Sequence, residues 1–589
     1  MITTKNLSDF FQIEQDESER AFDESIKLNM AERVKAGKAI VDLRIDGDFR
    51  ESNDDYDEIR LLHVKENLSE FKIGERVDLA YMTGHKICEC EIADFQDNGD
   101  IVISINQFNF TSSVDSAIGR DLMLVPSKIS LRDFYRKFIW SCSENVLQQS
   151  IVNTIPLPQL TDDYNKIVSD QKKAFESQEI KLNDAQVMAV AKIRQAQDYF
   201  LVQGPPGTGK SFLLADYICD NCNKKIVIVA PTHKAVNNLL LKVAERYCIY
   251  NGTDEEKISM VQNRIFKIGA GHYAKDLTFN LNGKEVKLTN ITHPNCAYLN
   301  NLKDNCGYVL GMTPWMLQGK ARNLVFDELI VDEAGQMTIP VALMAMMPST
   351  RVRKIILAGD HKQLPPIVPE SLKDQELKQS IFERLIRPQN SVMLNVSFRM
   401  NDVICDFVSD LFYDGNLHSA KGTTRLNISS SDPILNPNTP IIFIDSKSRG
   451  MQYSDEEVRL VADILKKCIA QGISPTDIAV LAPFRAQCAR IRKELHSYLP
   501  VSQREQIVVD TVDRMQGQER EVIIYTFTSG NLNYMRERAE FLYNPNKLNV
   551  AFSRAKNKLI LLGNHATMAA LHNQLLDKIV HDSEHVTYL

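Results

Sequence analysis

The period of apolar positions changes three times along this chain. Residues 8–36 carry an apolar stripe opposite a charged face at helical spacing, which predicts an amphipathic helix. From residue 39 to 108 the period falls to two. The runs 40–45, 59–64, 77–81, 87–95 and 101–108 read as five short strands, with Asn98-Gly99 as a hairpin signal between the last two. Short strands at that spacing predict a small β-barrel. Helical spacing returns over 130–149 and 164–178, as expected of stalks joining the barrel to the rest of the chain.

Beyond residue 182 the pattern becomes α/β. The apolar runs 200–202, 226–229, 308–310, 329–331 and 354–357 are typical of buried parallel strands. A second set lies at 392–394, 441–444, 478–481, 507–509, 522–527 and 559–562, so two P-loop-like sheets in tandem are expected. The corresponding boundaries are 1–38 for an N-terminal helical segment, 39–125 for the barrel and 126–181 for stalk helices. The first sheet domain covers 182–390, with an insertion at about 247–305, and the second covers 391–589.

Candidate chemistry begins at Gly204-Pro205-Pro206-Gly207-Thr208-Gly209-Lys210-Ser211, which lies between a strand run and a helical run. This is the context of a P-loop. Backbone N–H groups of such a loop, with the helix N-terminus behind them, close around phosphate oxygens. Lys210 reaches the β- and γ-phosphates of ATP and Ser211 ligates Mg²⁺. Asp332 and Glu333 end a predicted strand, where Asp332 orders Mg²⁺ and Glu333 activates the attacking water. After the next strand, Gln363 is suited to sense a γ-phosphate. Arg399 and Arg554, in the second sheet domain, are placed to act as fingers on transition-state charge.

Composition narrows the class. Hydrophobic residues make up 44% and charged residues 25%, as in globular chains. No apolar run approaches the roughly 20 residues of a membrane span. The N-terminus has no signal-peptide pattern, and the eleven cysteines are scattered, which predicts reduced thiols and a cytoplasmic location. The Cys219/Cys222 pair lacks the partners of a zinc site, and His293 and Cys296 read as ordinary loop residues. The net charge of −7 resides entirely in residues 1–60, which hold nine Lys/Arg against sixteen Asp/Glu. The balanced remainder leaves room for a basic channel, and the acidic segment is a candidate surface for a protein partner.

As an ordered set these segments resemble superfamily 1 helicases of the branch containing the up-frameshift helicase, senataxin and the immunoglobulin-mu-binding helicase. Asn183-Asp184-Ala185-Gln186 resembles the Q motif, and 230–237 resembles motif Ia. Gly311-Met312-Thr313-Pro314 is similar to a strand-contacting motif. Asp332 to Gln336 and Gly359 to Pro366 resemble motifs II and III. Asn395 to Met400, Val509 to Glu519 and Leu548 to Lys556 resemble motifs IV, V and VI. Before the barrel, Glu19-Arg20-Ala21 and Ala31-Glu32-Arg33-Val34 also resemble the immunoglobulin-mu-binding branch.

The resemblance implies an α/β fold of two tandem RecA-like P-loop domains with an N-terminal small β-barrel on helical stalks. It implies ATP bound by Gln186, the P-loop, Phe398, Gly517 and Glu519. It further implies a single nucleic-acid strand met by Pro231, Thr232, His233, Asn237, Thr313, Pro314, Thr511 and Val512. The chain departs from the family at Ser397-Phe398, where Gln-Tyr is usual, at Met515, where an aromatic is usual, and at Asn546-Lys547, where an Arg pair is frequent. Relatives often carry a long helical insertion where 247–305 is modest. The expected activity is an ATP-dependent helicase or translocase on single-stranded RNA or DNA, moving 5′→3′ as a monomer. A second reading is an ATP-gated nucleic-acid clamp without processive unwinding. A third, a ring-forming P-loop ATPase, is disfavoured by the second α/β unit with its own arginines.

Overall fold

The computed structural model describes residues 2–52, 56–63, 69, 71, 74–96, 99–106, 114–128, 130–142, 169, 182–196, 198–249, 252–292, 294–300, 307–346, 354–515 and 517–589. The predicted 164–178 helix therefore lies outside the described residues, apart from residue 169.

The period-two segment closes into a barrel of six antiparallel strands in the order β1-β2-β5-β4-β3-β6. These are β1 (Ile40–Ser52), β2 (Tyr56–His63), β3 (Arg76–Tyr81), β4 (Lys86–Phe95), β5 (Ile101–Asn106) and β6 (Leu122–Pro126). Alternate side chains, among them Leu43, Leu61, Leu79, Ile92, Ile103 and Leu124, fill its interior. The sequence pattern marks five of these strands and misses β6. Its Leu122-Met123-Leu124-Val125 run is apolar on both faces and shows no alternation, yet it is the strand that joins β1 to β3 and closes the barrel.

The amphipathic N-terminal segment forms two helices, Thr4–Lys27 and Met30–Lys35. They part at Leu28, which is extended, because Asn29 caps the second helix in a reciprocal box with Glu32. The first helix pairs with the helix Arg132–Ser141. Phe11 stacks on Tyr135 at 4.1 Å between ring centroids, and Arg132 reaches Asp16 at 2.7 Å and Glu19 at 3.0 Å. Leu7, Phe10, Phe11, Tyr135 and Phe138 join the core on one face of the first parallel sheet. Asn6 donates to Asp374 at 2.9 Å, and Glu17 accepts the backbone N–H groups of Glu370 and Ser371. Part of the N-terminal acidity is thus engaged within the chain.

The first parallel sheet has eight strands in the order β12-β9-β13-β8-β14-β15-β7-β16. They are β7 (Tyr199–Gln203), β8 (Lys225–Val229), β9 (Ile265–Ile268), β12 (Thr289–Ile291), β13 (Tyr308–Met312), β14 (Glu328–Val331), β15 (Lys354–Gly359) and β16 (Ser391–Met393), with the hairpin β10 (Thr278–Leu281) and β11 (Lys284–Lys287) outside the sheet. Two expectations are corrected. The run at 392–394, expected to open the second unit, pairs in parallel with β7, Ser391 beside Leu201. Within 247–305, β9 and β12 extend the main sheet beyond β13.

The second parallel sheet has the order β21-β20-β22-β23-β19-β24, with the small pair β17 (Val396–Ser397) and β18 (His418–Ser419) before it. Its strands are β19 (Ile441–Asp445), β20 (Ile478–Ala482), β21 (Val508–Thr511), β22 (Arg520–Thr526), β23 (Ala555–Gly563) and β24 (Val586–Tyr588). β24 has no counterpart among the expected strands. Apolar clusters cover both faces of each sheet. Among the described residues no helix is long and apolar enough to cross a membrane.

One buried carboxylate organises the ends of β19 and β22. Glu457 accepts from Ser446 Oγ at 2.9 Å, from the Thr528 N–H at 2.8 Å and from Thr526 Oγ1. Burial pushes its carboxyl up to about 7, against the hydrogen bonds that favour the anion. An acid whose folded pKa lies above its unfolded value loses stability as pH rises through that interval. The thermal midpoint of the protein should therefore fall from about pH 5 to pH 8. Glu457→Gln, which can keep an acceptor on Thr528 and donate to Ser446, should flatten that slope. A variant with the wild-type slope in differential scanning calorimetry would remove Glu457 as its origin.

Candidate active site between the two parallel sheets

The buried strand β7 delivers Gly204 to the end of the first sheet, and the helix Lys210–Asp220 starts six residues later. Gly207 and Gly209 hold positive φ of 75° and 77°, which curls the loop. Gly207 also has no room for a side chain. A Cβ there would lie 2.5 Å from the Arg399 Cβ and 2.7 Å from the Ser397 Oγ. Two hydrogen bonds clasp the loop to the second domain, Phe398 N–H to the Gly207 carbonyl at 2.8 Å and Ser397 Oγ to the Pro206 carbonyl at 2.9 Å.

The P-loop lines a cavity of about 840 Å³ together with Asp332, Glu333, Gln336, Gln363, Arg399, Asp513, Gly517 and Arg554. The charges nearest the loop are all partnered. Lys210 Nζ sits 2.8 Å from Asp332 and 2.6 Å from Glu333. Burial opposes its charge, but the two carboxylates outweigh burial and hold the ammonium above the usual lysine range. Burial likewise opposes ionisation of Glu333, yet Lys210 and a 2.6 Å bond from Gln336 hold it below the usual carboxylate range. Arg399 donates to Glu519 at 2.7 Å and to the Ser553 carbonyl at 3.1 Å. Arg554, 2% exposed, donates to the Val550 carbonyl and, at 3.1 Å, to Gln363 Oε1. Burial and the neighbouring Arg399 charge push Arg554 down to about 9, and the two guanidiniums repel each other.

A second set of bonds joins the domains beside the cavity. Asp360, at the end of β15, accepts from Gln203 at 3.2 Å, from Gln363 Nε2 at 2.9 Å and from the Tyr413 hydroxyl at 2.6 Å. The same hydroxyl accepts from Asn549 at 2.8 Å. From the helix Pro545–Phe552, Asn549 donates to the Lys362 carbonyl at 2.7 Å, and Asn546 donates to the carbonyls of His361 and Gln363. Asn546 is one of the family departures, and here it bridges the domains. Sequence reasoning missed the roles of Tyr413, Asn546 and Asn549. Their signal is long-range pairing of short polar side chains, which no local period carries.

Gln186 lies behind the P-loop. Its amide oxygen accepts from the Asn183 N–H at 3.0 Å and its nitrogen donates to the Thr208 carbonyl at 3.1 Å, so it braces the loop. Glu519 holds Arg399 and Lys556. Phe398 is 48% exposed beside the loop. Of the residues expected at the strand, Pro231 and Thr232 border the P-loop cavity, and His233 and Thr511 are partly exposed. Asn237, Thr313, Pro314 and Val512 are buried, Asn237 donating to the Tyr273 carbonyl at 2.7 Å. Ser211 and Asp332 are oxygen donors of the kind Mg²⁺ takes, and the Lys210 ammonium now neutralises Asp332.

Two family models, each described as an AAA domain, match the chain, one over residues 181–297 and 316–370 and the other over 377–566. The chain is 28% identical over 422 residues to the DNA replication ATP-dependent helicase/nuclease dna2 of Schizosaccharomyces pombe, covering 66% of this chain and 28% of that protein. It is 28% identical over 469 residues to an uncharacterized ATP-dependent helicase of Methanocaldococcus jannaschii, covering 65% and 68%. It is 29% identical over 432 residues to the ATP-dependent helicase NAM7 of Saccharomyces cerevisiae, covering 67% and 43%. The chain spans 28% to 37% of the length of the first two DNA replication helicase/nucleases it matches. Among solved structures, the arterivirus nonstructural protein 10 helicase aligns over 90% of this chain and 79% of its own at 14% identity, with a TM-score of 0.39.

Tyr413→Phe removes the hydroxyl between Asp360 and Asn549 and leaves both with unmet bonds, a loss of about 1–3 kcal/mol for each buried group. The nucleotide-free variant should populate a cleft with the domains apart, seen as a larger radius of gyration in small-angle scattering. An unchanged radius would show that the clasp at Gly207 suffices.

Proposed function

We propose a function from one premise: this chain belongs to the superfamily 1 helicases of the up-frameshift and senataxin-like family. It hydrolyses ATP in the cleft between its two α/β domains and uses the cycle to move on, or unwind, nucleic acid in the 5′→3′ direction. The observation that carries this reading is the convergence of Lys210, Asp332 and Glu333 from one domain with Arg399 and Arg554 from the other on a single cavity.

The chemistry rests on an exchange of charge partners. Phosphates entering the P-loop draw Lys210 from its two carboxylates. Ser211 and Asp332 are then the residues to hold Mg²⁺, which when bound neutralises phosphate charge. Glu333, oriented by Gln336, accepts the proton of the attacking water. Arg399 and Arg554, which repel each other, are relieved by an anion between them, and that relief grows as charge develops on the γ-phosphoryl group. Gln363 accepts from Arg554 and donates to Asp360, so it carries the state of the phosphate to the domain junction. The exposed ring of Phe398 offers a face to the adenine.

One observation favours a second reading, an ATP-gated clamp. The domains are joined by the Asp360–Tyr413–Asn549 bonds and the Gly207 clasp, an arrangement suited to holding a strand. We assign the chain a cytoplasmic location and a monomeric state from its reduced cysteines and its in-chain arginine fingers.

Lys210→Ala should abolish turnover while leaving strand binding in place. Arg399→Ala and Arg554→Ala should each lower kcat by roughly 10³-fold with nucleotide affinity little changed. Strand-stimulated ATP hydrolysis with matched RNA and DNA oligonucleotides checks the substrate, and displacement from 5′- and 3′-tailed duplexes checks unwinding and direction. Near-normal kcat in both arginine variants would overturn the two-domain cleft. Stimulated hydrolysis without displacement would favour the clamp.

A further inference from the structure

Among the described residues outside the P-loop cavity, one buried cation is met by neither a carboxylate nor a carbonyl. Lys267 on β9 is 0% exposed, and among the described residues its ammonium bonds only His233 Nδ1, at 2.7 Å. His233 opens the helix His233–Tyr247, directly after Thr232, and its ring is stacked on Tyr273 with centroids 3.7 Å apart and planes 16° apart. Tyr273 is itself held on two sides. Asn237 donates to its carbonyl, and its hydroxyl donates to the Gly74 carbonyl of the barrel at 3.4 Å.

An ammonium has donors and no acceptor. Nδ1 of His233 must therefore accept, and the ring proton must sit on Nε2. The stacking fixes the ring plane, so the Nε2–H direction is set as well. We propose that Lys267 is a positioning residue for nucleic-acid binding: it holds His233 as the Nε2–H tautomer, so that a neutral N–H donor backed by a buried positive charge meets a phosphate of the strand. This rests on the reading that the strand crosses the start of the helix His233–Tyr247.

The arrangement predicts a dependence on pH. From its helix, His233 faces Lys267, with Tyr273 beyond the ring. The register neighbours of Lys267 on β12 and β13 are Asn290 and Gly311, which carry no charge. With burial as the cause, Lys267 is pushed down to about 7. The ammonium, and with it the tautomer constraint, is present below that value and lost above it.

The test is fluorescence anisotropy of a labelled oligothymidylate on the full chain from about pH 6 to about pH 8.5, without nucleotide. Wild-type affinity should fall several-fold across this interval. Lys267→Arg, charged throughout, should stay at the low-pH level. Lys267→Met and His233→Ala should bind weakly, by roughly tenfold, and without the slope. A Lys267→Arg variant that keeps the wild-type slope, or a Lys267→Met variant with wild-type affinity and slope, overturns the proposal. If Lys267→Met does not fold, the Lys267→Arg comparison decides alone. His233→Ala with undiminished affinity would instead refute the strand contact itself. Weakening by His233→Ala with silent Lys267 variants would leave that contact standing and remove Lys267 from it.

Discussion

Asp360 is a carboxylate with 5% of its surface exposed, and a buried carboxylate must be given donors. Its donors come from three places: the end of the P-loop strand through Gln203, its own loop through Gln363, and the second domain through Tyr413. Meeting that requirement sets the relation of the two parallel sheets at the cavity. Because Tyr413 also receives Asn549, and Asn549 belongs to the helix that ends just before Arg554, the position of Arg554 is tied to the same carboxylate. Burial and Asp360 keep the Tyr413 hydroxyl protonated, so the link stays a donor over the whole working range of pH.

The cavity beside this junction is charged and internally compensated. Lys210 lies on two carboxylates, Arg399 on Glu519 and Arg554 on the neutral Gln363. On the proposed reading, ATP would exchange with partners that are already paired, and an anion between the two arginines would relieve their mutual repulsion. Glycine at 207 is required twice, by its positive φ and by the side chains of the other domain pressed against it.

The parts of this architecture set by local rules were legible in the sequence. The P-loop, the strand ending in Asp332-Glu333 and the two successive sets of buried strands are marked by apolar runs and glycine placement, and the structure has them. Edges and junctions were not legible. β6 lacks alternation, β16 carries no mark of which sheet it joins, and β24 is three residues long. The bridging residues Tyr413, Asn546 and Asn549 act across 53 to 187 positions of sequence. Gln186 is assigned to adenine by resemblance, whereas the structure gives its amide to the loop.

The docking of the first helix has a consequence for how the chain is made. Leu7, Phe10 and Phe11 find their cover among residues such as Leu343 and Phe382, and the bond from Asn6 to Asp374 spans 368 positions. At synthesis rates of about 5–20 residues per second, these side chains leave the ribosome roughly twenty seconds to over a minute before their partners exist. During that interval the helix Arg132–Ser141, through Tyr135 and Phe138, is the early neighbour that meets Phe11. Part of this apolar N-terminal face is therefore made well before the residues that complete its cover.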